Sequence, residues 1–132
     1  MPLKSEMKIL VIDDMATMRK IIKNMLNQLG FTNITQADDG ATALPLIEEA
    51  VKTGEPFEFI VSDWNMPQLN GLDLLKKIRA TENLKATPFL MITAEAEQGN
   101  VVVAVKAGVS NFIVKPFSAQ VLKEKIVKIF GQ

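Results

Sequence analysis

A chain of 132 residues, 48% hydrophobic and 23% charged, has the size and composition of one globular domain with a substantial core. Fifteen Lys and Arg balance fifteen Asp and Glu, and no long basic run occurs, which argues against binding to nucleic acid or to an anionic membrane surface. Cys and His are both absent, which excludes disulfides, thiolate nucleophiles, imidazole bases and the usual zinc ligands.

Chemistry must therefore run on carboxylates, hydroxyls, amides and lysine, a donor set that favours a hard cation such as Mg²⁺. Met1 to Glu6 is short and polar, and the apolar run after it ends in two aspartates. That is not a signal peptide, and no apolar stretch is long enough to span a bilayer. The expected compartment is the cytoplasm.

The chain reads as five strand-then-helix units. Ile9-Leu10-Val11-Ile12 is a continuous apolar run, the pattern of a strand buried on both faces. From Ala16 to Leu29 the period becomes helical, with Met18, Ile21, Ile22, Met25, Leu26 and Leu29 on one side and Gly30 as the stop. Ile34 to Ala37 predicts a weak second strand, and Asp38-Asp39-Gly40 turns into a second helix from about Ala41 to Lys52. Pro45 is read as lying near its first turn, where a missing N–H costs little.

Phe57 to Ser62 predicts the third strand, ending at Asp63, and Met66 to Gly71 reads as a loop. Leu72, Leu75 and Ile78 mark a third helix, and Phe89 to Ile92 a fourth strand ending at Thr93. Val101 to Val105 would pass as a strand on propensity. Its place between two better strands and before Gly108 predicts instead a fourth helix, from about Gln98 to Ala107, of low intrinsic helicity. Phe112 to Val114 is the fifth strand, ending at Lys115-Pro116, and Ser118 to Phe130 the last helix. Such alternation predicts an α/β fold, with a parallel sheet, helices on both faces and right-handed crossovers.

In a parallel sheet every strand ends at one edge. Asp13 and Asp14 follow the first strand, Asp63 the third, Thr93 the fourth and Lys115 the fifth. Ligands in such folds bind outside these carboxyl ends, where the winding reverses. Three carboxylates gathered there repel and call for a cation. An all-oxygen site suits Mg²⁺, and phosphoryl transfer is mostly positioning and electrostatics. A carboxylate can itself be the nucleophile. Taken singly, each residue has a plainer reading: Asp14 as a helix cap, Asp63 as a turn residue, Thr93 and Lys115-Pro116 as strand ends, Phe112 as core. Only the functional reading accounts for all the positions together.

Asp13-Asp14, Asp63-Trp64-Asn65-Met66-Pro67, Thr93-Ala94-Glu95 and Lys115-Pro116-Phe117 together resemble the response-regulator receiver family, over essentially the whole chain. The resemblance implies a flavodoxin-like, doubly wound five-stranded parallel sheet of order 2-1-3-4-5 with five helices. It makes Asp63 the phosphoacceptor. Asp14, Asp63 and the backbone carbonyl of Asn65 become Mg²⁺ ligands, with Asp13 acting through water. Thr93 and Lys115 contact the phosphoryl group, and the Lys115–Pro116 bond is expected to be cis. Asn65 and Glu95 tune dephosphorylation, and Phe112 is a switch residue. The phosphoryl donor is a phosphohistidine on a sensor histidine kinase. The output surface is the face made by the fourth helix, fifth strand and fifth helix, which binds a protein target. A flagellar-motor switch protein is one candidate.

Three departures from the single-domain chemotaxis members stand out. Phe112 replaces a tyrosine and so lacks a hydroxyl. Glu97 and Gln98 replace frequent lysines, and the stretch Glu48 to Glu58 is longer. The first two weaken the case for motor binding and leave open a receiver that acts as a phosphate sink. A flavin carrier is disfavoured by two aspartates where a phosphate loop belongs. A phosphohydrolase is disfavoured because Asn65 lies where its acid–base carboxylate would be. A monomer is expected.

Overall fold

Ile9, Leu10, Val11 and Ile12 are completely buried, because the strand they form lies inside the sheet with helices on both faces. The computed structural model describes residues 6–94 and 98–131. Five parallel strands, β1 (Ile9–Ile12), β2 (Ile34–Ala37), β3 (Phe59–Asp63), β4 (Phe89–Thr93) and β5 (Asn111–Val114), form one sheet in the order β2-β1-β3-β4-β5. Five helices connect or follow them: α1 (Ala16–Gln28), α2 (Gly40–Lys52), α3 (Gly71–Arg79), α4 (Gln98–Lys106) and α5 (Ala119–Phe130). This is the doubly wound, flavodoxin-like arrangement expected from the sequence.

Alternation along the strands divides the core in two. Leu10, Ile12, Ile60, Phe89 and Met91 point to one face and pack with Ala43 and Ile47 of α2 and Leu74, Leu75 and Ile78 of α3. Ile9, Val11, Phe59, Val61, Leu90 and Ile92 point to the other and pack with Ile22 and Leu26 of α1 and Leu122 and Ile126 of α5. An edge contact between the Phe59 and Phe130 rings, 5.4 Å between centroids, secures the end of α5. From β1 the chain winds outward to β2 in one direction and to β3 in the other. The reversal places a crevice at the carboxyl ends of β1 and β3.

Several local expectations need correction. Pro45 is the sixth residue of α2, not part of its first turn. Its missing N–H leaves the Ala41 carbonyl without its usual helical donor, yet the helix continues through it. β3 begins at Phe59 rather than Phe57; Phe57 is buried outside the ladder, with the Lys8 ammonium 4.6 Å from its ring centroid. In α3 the buried stripe is Gly71, Leu74, Leu75 and Ile78, with Leu72 only half-buried. Ile21 of α1 faces solvent. The valine-rich segment is helical, as expected, and α4 gives way to Gly108 at φ 94°. Among the described residues, no helix is long and apolar enough to cross a membrane.

Residues 115–118 lead from β5 to α5, and Ser118 caps that helix by accepting a hydrogen bond from the Val121 N–H at 3.2 Å. Ser118→Ala is expected to cost about 1 kcal/mol of stability, read as a lower urea midpoint with an unchanged m-value. An unchanged midpoint would mean that water replaces the hydroxyl at no cost.

Candidate functional site

Five residues are delivered to the crevice by the ends of four strands. Asp13 directly follows β1, and its N–H donates to the Ala37 carbonyl at 3.1 Å, extending the pairing with β2 by one step. Its side chain is fully buried. One carboxylate oxygen accepts the Met15 N–H at 2.9 Å, and its main-chain carbonyl accepts from the Arg19 guanidinium at 2.6 Å. The residue at the cap position of α1 is Met15, with no side-chain cap. Asp14 is therefore not the cap of that helix, and its carboxylate is exposed at the crevice.

Asp63 ends β3 and is buried. The Trp64 N–H is shared between its carboxylate, at 3.0 Å, and the Ile92 carbonyl, at 2.8 Å. Thr93 ends β4 and is also buried. Its carbonyl accepts the Lys115 N–H at 2.8 Å, which places Lys115 one step beyond β5 and beside β4. The Lys115–Pro116 bond is cis, as expected. The Lys115 ammonium lies 3.4 Å from Asp13 Oδ2 and 3.4 Å from Asp63 Oδ1. Both distances exceed the roughly 2.8 Å of a close charge-assisted hydrogen bond. The ammonium thus stands between the two carboxylates, tightly held by neither.

Oxygens of Asp13, Asp14 and Asp63 lie within 4.8 Å of one another. Two ionised carboxylates at that spacing repel by about 3 kcal/mol at an effective dielectric constant near 20. One ammonium cannot balance three such groups. Burial, and next the neighbouring Asp13, raise the pKa of Asp63 above its ordinary value, against the opposing pull of Lys115 and the Trp64 N–H. This chemistry fits a small divalent cation: the donors are all hard oxygens, closely spaced, with a charge excess that a cation would relieve.

Asn65, with Met66, Pro67, Asn70 and Asp14, lines an open groove of about 390 Å³ at the crevice. The groove admits solvent and a ligand the size of a phosphoryl group. Phe112, on β5, is half-buried against the α2–α3 side of the core, and the Lys125 ammonium lies 5.2 Å from its ring centroid. Glu95 lies outside the described residues.

Reading by sequence missed the residues that hold this groove in place. Asp39 is buried beneath the loop that joins β3 to α3. One of its oxygens accepts the Ala41 N–H at 2.9 Å and the Leu69 N–H at 2.8 Å, and the other accepts the Gln68 N–H at 3.1 Å. Burial alone would raise its pKa, but the N–H groups of Ala41, Leu69, Gln68 and Gly40 outweigh burial and hold it below the ordinary value. An Asp–Gly pair before a helix signals a cap. Nothing in the local pattern signals two donors some thirty residues away.

Residues 9–127 match the response regulator receiver domain family. The chain is 56% identical over 124 residues to the chemotaxis protein CheY of Pseudomonas aeruginosa, covering 94% of this chain and 96% of that protein. Its fold superposes on the solved structure of Vibrio cholerae CheY4 with a TM-score of 0.84, at 29% identity, covering 94% of this chain and 98% of that one. It also superposes on the receiver domain of a P. aeruginosa sensor histidine kinase, solved with a magnesium ion coordinated in its active-site cleft. There the TM-score is 0.82 at 28% identity, covering 96% of this chain and 99% of that one. Strand order, the acidic crevice and the match along nearly the whole chain agree: this protein belongs to the response regulator receiver family and is a CheY-like receiver domain of two-component signalling.

Proposed function

We propose that this receiver takes a phosphoryl group onto the Asp63 carboxylate from a phosphohistidine on a sensor histidine kinase, in a Mg²⁺-dependent reaction. The observation that carries the reading is the Lys115 ammonium poised 3.4 Å from both Asp13 and Asp63, amid three converging carboxylates. Asp63 Oδ attacks phosphorus; the new P–O bond forms as the P–N bond breaks, and its electron pair stays with the departing imidazole. Lys115 exchanges a carboxylate partner for a phosphoryl oxygen. The Thr93 hydroxyl donates to a second phosphoryl oxygen. Asp13, Asp14, Asp63 and the Asn65 carbonyl would hold Mg²⁺, which when bound neutralises charge on the transferring group. Asn65 and Glu95 control the approach of the water that later hydrolyses the acyl phosphate.

When Thr93 moves toward the phosphate, Phe112 turns inward and α4 repacks. The face built by α4, β5 and α5 then changes what it offers a protein target. Val102, Val103 and Val105 of α4 are exposed, and a helix of weak intrinsic propensity suits an element with two arrangements. The chemotaxis names of its relatives support a role in that pathway, with a flagellar-motor switch protein as one target. Phe112 has no hydroxyl to offer such a target, which favours as a second reading a phosphate sink. Capture of proteins by the beryllofluoride-loaded and unloaded forms separates the two: a sink retains no state-dependent partner beyond its kinase.

Trp64 is the only tryptophan, and it directly follows Asp63, whose carboxylate accepts its main-chain N–H, so its emission is the built-in reporter for the site. Titration with Mg²⁺ is expected to give a saturable change, and beryllofluoride, a phosphoryl mimic, a further one. Absence of both responses would overturn the proposed function and leave the fold alone.

A further inference from the structure

We propose that Asp39 is a positioning residue for the phosphoryl and metal site, fixing the loop of residues 64–70 so that the Asn65 side of the groove faces Asp14 and Asp63. The proposal rests on the function just described. The loop is pinned at its start, because the Trp64 N–H is bound to the end of β4 and to Asp63 itself. Asn65, Met66 and Pro67 come next and line the groove. The far end is held from α2. Asp39 accepts the Gln68 and Leu69 N–H groups, and the Gly40 N–H donates back to the Leu69 carbonyl at 3.2 Å. A second clasp, from the Gly71 N–H to the Trp64 carbonyl at 2.9 Å, closes the loop upon itself.

The plainer role for Asp39 is as the cap of α2, and it does fill that role. Its carboxylate accepts the Ala41 N–H, and the Thr42 hydroxyl accepts the Asp39 N–H at 3.2 Å. Capping, however, needs one carboxylate oxygen. The bonds to Gln68 and Leu69 satisfy no α2 donor; they join α2 to a loop 29 and 30 residues away. The two parts also touch. A Cβ built on Gly40 would lie 2.3 Å from the Leu69 carbonyl oxygen and 3.1 Å from its Cβ. The start of α2 cannot shift without displacing the loop, so Asp39 can set where the Asn65 carbonyl stands.

Three variants separate positioning from capping. Asp39→Asn keeps an acceptor for Ala41 and Leu69 but turns an NH₂ toward the Gln68 N–H. Gly40→Ala pushes the same loop with no change of charge. Thr42→Ala weakens the start of α2 and leaves the loop bonds alone. Mg²⁺ affinity is read from Trp64 emission on folded protein, beside a urea melt of each variant. Asp39→Asn and Gly40→Ala are expected to bind Mg²⁺ about tenfold more weakly, the usual scale for losing a group that orients a metal ligand. Thr42→Ala should melt earlier and bind as tightly as wild type. In wild type, Mg²⁺ should also slow amide exchange at Gln68 and Leu69, a measurement that needs no variant to fold. Unchanged Mg²⁺ affinity in both loop variants, or unchanged exchange at both amides, would overturn the proposal. A wild type blind to Mg²⁺ would instead overturn the function beneath it.

Discussion

Asp63→Asn is expected to abolish phosphoryl acceptance and, in the same molecule, to stabilise the metal-free fold. The loss follows from removing the proposed nucleophile: a carboxamide oxygen does not form the acyl phosphate, and labelling by a small phosphoramidate should fall by on the order of a thousandfold or more. The beryllofluoride step in Trp64 emission should vanish with it. The gain follows from electrostatics. Burial and Asp13 raise the pKa of Asp63 in the folded state, so its charge is better tolerated in the unfolded chain. A neutral side chain of the same shape removes that penalty.

The sign fixes the pH window. The folded protein holds the Asp63 proton more tightly than the unfolded chain, whose value is near 3.8. Stability from this group is therefore fully present below about pH 3.8 and is lost as pH rises through the higher folded value. Asn does not titrate. With chelator present, the variant should exceed wild type by roughly 0.5–2 kcal/mol at pH 7, and the difference should narrow as pH falls toward 4. Urea midpoints at the two pH values measure it. Equal midpoints at pH 7 would mean that Lys115 already balances the crevice, removing the physical argument for a cation. Asp39 runs the other way: its lowered pKa contributes stability at neutral pH that is lost in acid.

The elements were legible where burial is two-sided. β1 is a continuous apolar run, and β3 and β4 are apolar up to their polar carboxyl ends, because helices cover both faces, and α1 and α5 show clear apolar stripes. Edge strand β2, only half-buried, left a fainter trace. The residues at strand ends were legible because a parallel sheet delivers all its carboxyl ends to one edge, so five positions far apart in sequence imply one crevice. Strand order came from family resemblance, since pairing partners leave no local mark. The plainer reading of Asp14 as a helix cap fails because Met15 holds the cap position of α1, and the Met15 N–H bonds to Asp13. In sequence Asp39 reads only as a turn residue, and Gly71 only as the end of a loop. Their importance lies in contacts to main chain distant in sequence or in a cross-layer fit, which composition and period do not encode.

Gly71→Ala should show how narrow that fit is. Gly71 opens α3, where alanine is intrinsically the better helix former by up to about 1 kcal/mol. Propensity alone thus predicts a stabilised protein. Packing predicts the reverse. A Cβ there would stand 2.3 Å from the Asp63 carbonyl oxygen and 2.8 Å from Met91 Sδ. The Met91 side chain can yield, but the Asp63 backbone cannot, because β3 is paired on both sides, Ser62 with Ile12 and Asp63 with Ile92. The start of α3 must retreat instead, stretching the bond from the Gly71 N–H to the Trp64 carbonyl. Overpacking of this kind costs roughly 1–3 kcal/mol, and the stretched bond adds to it, so melting should fall by roughly 10 °C. Trp64 emission should change before any ligand is added, and Mg²⁺ binding should weaken, since the loop carrying Asn65 hangs between the two displaced points. A variant that melts at or above the wild-type temperature would show that α3 approaches β3 less closely than this. The absence of a side chain at residue 71 would then be an accident of sequence. If melting falls as expected, that absence is what lets a helix terminus close against the backbone of Asp63, the proposed phosphoacceptor, so that the tightness of the core and the placement of that carboxylate come from one contact.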